Sequence, residues 1–345
     1  MVSVLTIPLI AIFVIVAILL LFRPNSGLFL RWRNVRRKAK QILLEDALKH
    51  LFHKENANGE PSIQSVSKAL QLSEDKALLL VSIILDEDLA VWEGNKLRLT
   101  ASGRLAALKT LRAHRLWERY LADKTGFSED EWHARADRAE HILSASDADA
   151  LSAQLSHPTY DPHGDPIPSA SGEMAKLHAI PLTTADIHQS FEIVHLEDEP
   201  PAIYAQLVAA ELYPGMKLEI SERTQQQVRF WTNGDEHHLP THVAGNIYVL
   251  PFPDKRTARD IPKLRLADLK PGQRGKVVAL SPACRGLERR RMMDLGILPG
   301  TVIRAEFVSA GGDPVAYRIR EALIALRQEQ ARLITIQPLE EKNDS

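Results

Sequence analysis

The C-terminal half of this chain says nearly the same thing twice, and no other feature constrains its fold as much. Glu211-Leu212-Tyr213-Pro214-Gly215-Met216-Lys217-Leu218-Glu219-Ile220 parallels Gly296-Ile297-Leu298-Pro299-Gly300-Thr301-Val302-Ile303-Arg304-Ala305. Farther on, Leu239, Ala244, Ile247 and Val249 keep the spacing of Leu326, Ala331, Ile334 and Ile336. Each copy opens on an apolar strand, Ser190 to Leu196 and Gly275 to Leu280, and places one short helix ahead of its Pro-Gly turn. Repeats of roughly seventy residues made of short strands with turns between them suggest two small β-barrels in tandem. They are expected at residues 179–252 and 262–338, joined by a linker at 253–261 that carries Lys255, Arg256 and Arg259, with a short tail at 339–345.

The middle of the chain follows the helical period instead. His133, Asp137, Glu140 and His141 are metal-ligand types spaced four, three and one apart, and His114 and Glu118 repeat the four-residue step on the preceding predicted helix. Residues three and four apart share a helix face. Two packed helices of this kind can surround one or two divalent ions with imidazole and carboxylate groups, a donor set suited to Mn²⁺, Fe²⁺ or Zn²⁺. The alternative is a solvated helix face, with Arg135 and Arg138 pairing the acids.

A chain of 345 residues with 45% hydrophobic and 25% charged content has room for two or three domains. Its net charge of −1 creates no global field that draws it to nucleic acid. The single cysteine, Cys284, excludes an internal disulfide and fits a reducing compartment. Val4 to Phe22 has no charged side chain and, as a helix, reaches about 28 Å. Residues 1–23 therefore read as an uncleaved transmembrane anchor. Arg23 ends the apolar run, and Arg31, Arg33, Arg36, Arg37, Lys38 and Lys40 form a basic juxtamembrane segment at 24–40. The positive-inside rule then predicts a single-pass protein of the bacterial inner membrane, N-terminus outside and the bulk of the chain cytoplasmic.

Between the anchor and the barrels the pattern predicts helices at about 38–53, at Ile63–Leu70 and, after the N-cap Ser73, at Glu74–Asp86. Leu89-Ala90-Val91-Trp92 and Lys96-Leu97-Arg98-Leu99 flank Glu93-Gly94-Asn95 as a β-hairpin. Three helices and a hairpin make a winged helix-turn-helix at 41–100. A long helix from about Ala101 to Lys124, the ligand helix from Ser128 to Leu143 and another from Asp147 to Leu155 make a helical domain at 101–160. The Pro-rich run from His157 to Pro168 is an extended loop leading into a linker at 161–178. The expected fold class is α+β.

Four stretches, Leu99-Thr100-Ala101-Ser102-Gly103, His114-Arg115-Leu116-Trp117-Glu118, Ala139-Glu140-His141-Ile142-Leu143-Ser144 and the His157–Pro168 loop, resemble the diphtheria-toxin-repressor family. That family includes the iron-dependent repressors and the manganese transport regulator. The resemblance covers roughly residues 40–250. It implies a homodimer built on the helical metal-binding domain. It also implies a primary site of Asp137, Glu140 and His141 with Asp46 from the first helix, and a neighbouring or ancillary site of His114, Glu118 and His133. Asp137 stands where the family has Cys in iron-type and a carboxylate in manganese-type members, and leans towards an oxygen-rich site. The acidic run Glu197-Asp198-Glu199 does not align cleanly and is left out of the ligand set. Leu266–Gly275, Arg289–Gly300, Gly312-Asp313-Pro314-Val315 and Ala325-Leu326-Arg327 are similar to the ferrous-iron transport protein A (FeoA) family, a partner of the bacterial ferrous-iron transporter (FeoB).

One segment departs from the family pattern. The predicted recognition helix, Ser73 to Asp88, begins with Glu74-Asp75, has Lys76 as its one cation and ends with Asp86, Glu87 and Asp88. Phosphate neutralisation drives most DNA affinity, so this helix is poorly equipped, and Lys96 and Arg98 in the wing add little. Two functions remain open. One is a metal-dependent (Fe²⁺ or Mn²⁺, with Zn²⁺ a third option) regulator of metal-uptake genes. The other is a metal-sensing accessory that does not bind DNA and docks a ferrous-iron transporter through its FeoA-like barrel. Without a nucleophile elbow, phosphate loop or dinucleotide fingerprint, an enzyme is not expected.

Overall fold

The computed structural model describes residues 28–57, 59–252 and 264–339, and the chain divides into two units, 1–111 and 112–345. In the first unit, α1 (Leu28–Asn56) begins ten residues ahead of the expected helix. Its extra turns are rich in Arg, which loses little rotamer freedom in a helix, and the side chains from Arg33 to Ile42 are exposed. Ala47, Leu48, Leu51 and Phe52 of α1 are buried, as are Val66 of α2 (Ile63–Ala69) and Ala77, Leu80, Val81 and Ile84 of α3 (Glu74–Asp86). The start of α2 is held by reciprocal capping, with Ser65 N donating to Ser62 Oγ at 3.2 Å and Ser62 N donating to Ser65 Oγ at 3.1 Å. β1 (Ala90–Glu93) and β2 (Lys96–Leu99) pair antiparallel, closing through Glu93 opposite Lys96. Glu55, at the end of α1, accepts from Leu99 N at 2.8 Å and from Arg104, tying the hairpin to the helix.

The surface expected to read DNA is mixed. Lys76 is exposed on α3. Lys96 pairs with Glu60 at 2.7 Å and Arg98 with Glu93 at 3.0 Å, so both wing cations are partly neutralised. On α3, Leu78 and Leu79 are 55% and 63% exposed.

The membrane expectation needs correction. No helix among the described residues is long and apolar enough to cross a membrane. The span expected at Val4–Phe22 lies outside the described residues. From Leu28 onward the supposed juxtamembrane strip is the first part of α1, a regular helix whose charged side chains would bar it from a bilayer. The single-pass inner-membrane assignment is therefore withdrawn.

α4 (Ala101–Lys124) carries the chain into the second unit, followed by α5 (Glu129–Glu140) and α6 (Ala145–Gln154). α5 stops three residues before the expected end, and His141 becomes its C-cap. The Pro-rich loop is fixed by its own polar groups. Asp161 Oδ1 accepts from the backbone N–H of His163 and of Asp165, both at 2.9 Å. Arg115 donates to Pro166 O at 2.6 Å and to Asp165 Oδ1 at 3.1 Å. Gly164 has φ +94°, and a Cβ there would lie 1.9 Å from Val194 O, so only glycine lets the loop lie this close to the next strand.

The repeat read from the sequence becomes two six-stranded antiparallel sheets. The first contains β3 (Ile180–Pro181), β4 (Ser190–Leu196), β5 (Lys217–Arg223), β6 (Gln227–Thr232), β7 (Asp235–Pro240) and β8 (Ile247–Pro251), in the order β3-β8-β4-β5-β6-β7. The helices α7 (Pro201–Ala209) and α8 (Thr241–Ala244) interrupt it. The second contains β9 (Leu264–Arg265), β10 (Arg274–Leu280), β11 (Val302–Val308), β12 (Val315–Ile319), β13 (Ala322–Leu326) and β14 (Ile334–Leu339), with α9 (Gly286–Asp294) and α10 (Gln328–Arg332). Its order, β9-β14-β10-β11-β12-β13, matches the first strand for strand. The Pro-Gly turns match as well: Gly215 N donates to Ile193 O at 2.7 Å and Gly300 N to Val277 O at 2.8 Å. Each module has its own core, around Phe191, Leu207 and Phe230 in one and Met292, Tyr317 and Ile334 in the other.

The second module grips the α4–α5 corner. Leu287 N donates to Thr125 O at 3.3 Å. Gly286, at φ +51°, approaches so closely that a Cβ would lie 2.1 Å from the same carbonyl. The Arg285 guanidinium stands 5.8 Å from the Trp132 ring centroid.

Candidate metal centre

α4 brings His114 and Glu118 to one face, and α5 brings His133, Asp137 and Glu140 opposite them. The buried His114 ring is the hub. Its Nε2 lies 3.1 Å from Glu118 Oε1, and its Nδ1 lies 2.5 Å from Glu140 Oε2 and 3.3 Å from Asp137 Oδ1. His133 Nδ1 lies 3.2 Å from the same Glu118 oxygen, and its Nε2 lies 3.7 Å from Asp137 Oδ2. The two imidazoles meet edge to face with centroids 4.8 Å apart. His141 Nε2 lies 3.6 Å from Glu140 Oε1. His114, Glu118 and His133 can offer three ligand atoms to one ion, as can His114, Asp137 and Glu140. Asp46 lies on α1 of the first unit, partly buried; the other six expected ligands all lie in the second.

The sequence reading left out one contributor. Asp198, from the segment between β4 and α7, places Oδ2 3.4 Å from His133 Nδ1, and Glu199 Oε1 lies 4.0 Å from His133 Nε2. The signal was present, since three consecutive acids before a Pro-initiated helix form an uncommon cluster. What hid it was distance along the chain. Only folding of the first β-module carries residue 198 to residue 133.

Charge explains the titration behaviour of these groups. Burial alone would raise the Glu118 carboxyl, but His114, with its charge and hydrogen bond, and the hydrogen bond from His133 hold it well below the usual carboxylate range. Hydrogen bonds to Asp198 and then Glu118 push the His133 imidazole up to about 11, against the effect of burial. Burial likewise works to raise Asp198, yet the His133 hydrogen bond brings it down. Asp161, in the loop behind, is pushed well up, first by burial and then by Asp165 and Glu118, with Arg115 opposing.

Four carboxylates, Glu118, Asp137, Glu140 and Asp198, thus converge on two imidazoles, and Glu118 and Glu140 are buried. Buried like charges at such separations need a cation or protons to hold them together. An oxygen-rich set with imidazole nitrogens fits a divalent first-row ion and offers no thiolate to a softer one.

Comparison with known proteins agrees with this chemistry. The family model described as "Iron dependent repressor, metal binding and dimerisation domain" matches residues 100–169, and the FeoA domain model matches residues 264–338. The iron-dependent repressor IdeR of Mycobacterium leprae (strain TN) is 28% identical over 204 residues, which is 59% of this chain and 86% of the relative. The diphtheria toxin repressor of Corynebacterium diphtheriae (strain ATCC 700971) is 26% identical over 203 residues, 55% of this chain and 84% of that one. Among solved structures, a manganese-dependent transcriptional repressor in complex with manganese superposes with a TM-score of 0.55 at 25% identity, over 61% of this chain and all of the other. These relatives are repressors rather than enzymes, in line with the lack of any catalytic motif. The chain belongs to the diphtheria-toxin-repressor family of metal-dependent repressors and carries a C-terminal FeoA domain.

Proposed function

We propose that this protein is a homodimeric, metal-activated transcriptional repressor of metal-uptake genes, and that Fe²⁺ or Mn²⁺ activates it. The observation that carries this reading is the His114 hub, a buried imidazole with three carboxylates around it. Asp137, Glu140 and His141 would hold the primary ion. His114, Glu118 and His133 would hold the ancillary ion, with Asp198 as an added ligand. A bound divalent ion supplies the positive charge that lets these carboxylates stay ionised and close together. His114 and His133 give up protons as they turn from hydrogen-bond donors into ligands, so metal affinity falls in acid. Zn²⁺ would be accepted by the same donors. Activation requires only that one arrangement of the protein binds metal better than another. In this reading the two sheets are SH3-like barrels.

The test uses the full chain stripped of metal. Calorimetric titration with Mn²⁺ should show saturable binding that Glu140→Gln with His141→Ala weakens at least tenfold. Metal-dependent retention of a selected random duplex library should follow. Undiminished Mn²⁺ affinity in the double variant would sink the site assignment. Failure to retain any duplex at low salt, with metal bound, would sink the repressor reading in favour of the accessory one.

A further inference from the structure

We propose that a row of arginines on the outer face of the FeoA domain, Arg274, Arg304 and Arg318 with Arg320 beside them, is a contact surface for the phosphate backbone of duplex DNA. This rests on the reading of the protein as a DNA-binding repressor, and it supplies phosphate contacts that α3 and the wing lack.

Three strands place the row. Arg274 of β10 stands opposite Arg304 of β11, and Arg304 stands opposite Arg318 of β12. Residues directly opposite across an antiparallel pair share a face. That face is the outer one, since all three arginines are exposed while their chain neighbours Gly275, Ile303 and Ile319 are buried. Strands about 4.8 Å apart put the three side chains within a span of about 10 Å. Lys276, two residues along β10 and exposed, lies on the same face. Arg320, just past the end of β12, lies across Gly296, where a Cβ would stand 3.0 Å from Arg320 Cδ. With the Pro299-Gly300 turn, the four arginines line a cleft of about 750 Å³.

Like charges directly opposite one another destabilise a sheet, and little in the domain offsets them here. Among the described residues the row makes one salt bridge, Arg318 to Glu306 at 2.6 Å. Glu321 is the acid that lines the cleft. The duplicated module shows that the fold does not call for cations at these positions. By the same registers its row reads Ser190, Glu219, Trp231 and Glu236, where the FeoA domain has Arg274, Arg304, Arg318 and Leu323. An arginine row that one copy has and the other lacks, held together against its own repulsion, points to an anion supplied from outside the domain.

The chemistry favours phosphates on a strand. Guanidinium forks match phosphate oxygens two bonds at a time, which ammonium groups do not. Cations set in a line suit successive phosphates of one strand, and a recessed cleft admits a narrow backbone ridge better than a flat lipid surface. The need exists elsewhere in the chain. Lys96 and Arg98 of the wing are paired with Glu60 and Glu93, and α3 has Lys76 as its one cation. Neutralised phosphates supply much of the affinity for a duplex.

The experiment measures retention of a duplex selected from a random library by the full chain with saturating Mn²⁺, at about 50 to 300 mM salt. Log affinity falls with log salt by about 0.9 for each phosphate neutralised. Arg274→Gln with Arg304→Gln should lower that slope by about 1.8 and weaken binding about 30-fold at about 0.15 M salt, and Arg304→Gln alone should give half the change in slope. Selected and unrelated duplexes should weaken alike, because phosphate contacts carry no sequence information. Lys109→Gln with Lys176→Gln removes the same charge from exposed positions off the row and should leave the slope as in the wild type. If the double arginine variant does not fold, Arg304→Gln decides. An unchanged slope in the arginine variants, or an equal fall in the lysine control, overturns the proposal. So does loss of binding to phosphatidylglycerol vesicles in the arginine variants while the duplex slope holds, which would give the row to a lipid surface. A wild type that retains no duplex at low salt overturns the repressor reading as well, a result distinct from a wild type that binds duplex with a slope the row does not influence.

Discussion

Replacing Glu118 by Gln tests how much of the second unit depends on the cluster. The Glu118 carboxylate is buried and serves both histidines, with His114 Nε2 at 3.1 Å and His133 Nδ1 at 3.2 Å. A hydrogen bond to a charged group contributes about 1.5–3 kcal/mol. Gln keeps the shape and can still accept one bond, but it loses the charge and turns its amide towards one imidazole. A destabilisation of about 3 kcal/mol is expected for the metal-free protein, at the low end of the cost of breaking a buried pair. In a unit of this size that corresponds to a fall of about 6–12 °C in melting temperature. Metal adds a second contrast. An ion present at one hundred times its dissociation constant stabilises by about 2.7 kcal/mol, and Glu118→Gln should forfeit most of that gain. The assay is urea unfolding of the full chain, wild type and variant, with and without saturating Mn²⁺. If the variant unfolds within about 0.5 kcal/mol of wild type in both conditions, the carboxylate is not the shared anchor described here.

Four further outcomes follow from the same geometry. Asp198→Asn should weaken one metal site at least tenfold and leave the other unchanged in a two-site Zn²⁺ titration. Gly164→Ala, which combines φ +94° with a 1.9 Å overlap on Val194 O, should cost more than about 3 kcal/mol in urea unfolding, because strain and collision add. His133 has a raised folded pKa, so its protonated form stabilises the metal-free fold fully below about pH 6.5, and that contribution disappears as pH climbs through about 11. Binding metal must expel that proton, so Mn²⁺ affinity should rise with pH between these values, with about one proton released per ion at this centre in a pH-indicator assay. Arg285→Ala removes the cation beside Trp132 and should destabilise by about 0.5–2 kcal/mol, read as faster hydrogen exchange at Thr125 and Leu287.

Local signals in the sequence carried most of the architecture. The duplicated Pro-Gly turns and apolar spacing foretold two related β-modules in tandem, because short strands and obligatory turns leave their pattern in neighbouring residues; their common strand order came from the structure. The four-residue steps His114–Glu118 and His133–Asp137 foretold that these imidazoles and carboxylates share a face, because helical geometry repeats locally. What stayed hidden depends on long-range placement. Asp198 reaches His133 only through the fold of β4 and the segment after it. The end of α5 was misjudged because Ile142 and Leu143 continue the apolar pattern, although the helix had already closed at Glu140. The start of α1 was misjudged for the opposite reason, since a dense run of cations read as a separate segment.

The contact between Gly286 and the Thr125 carbonyl carries a practical consequence for anyone trimming this molecule. That carbonyl closes the bend joining α4 and α5, and Leu287 N is its donor from the FeoA domain. A fragment ending before residue 264 would leave the bend without that donor and strip the guanidinium from the Trp132 indole, one helical step from His133. Measurements on such a fragment would report on a looser grip than the intact polypeptide has, and a weak ion affinity found there would say little about the native one.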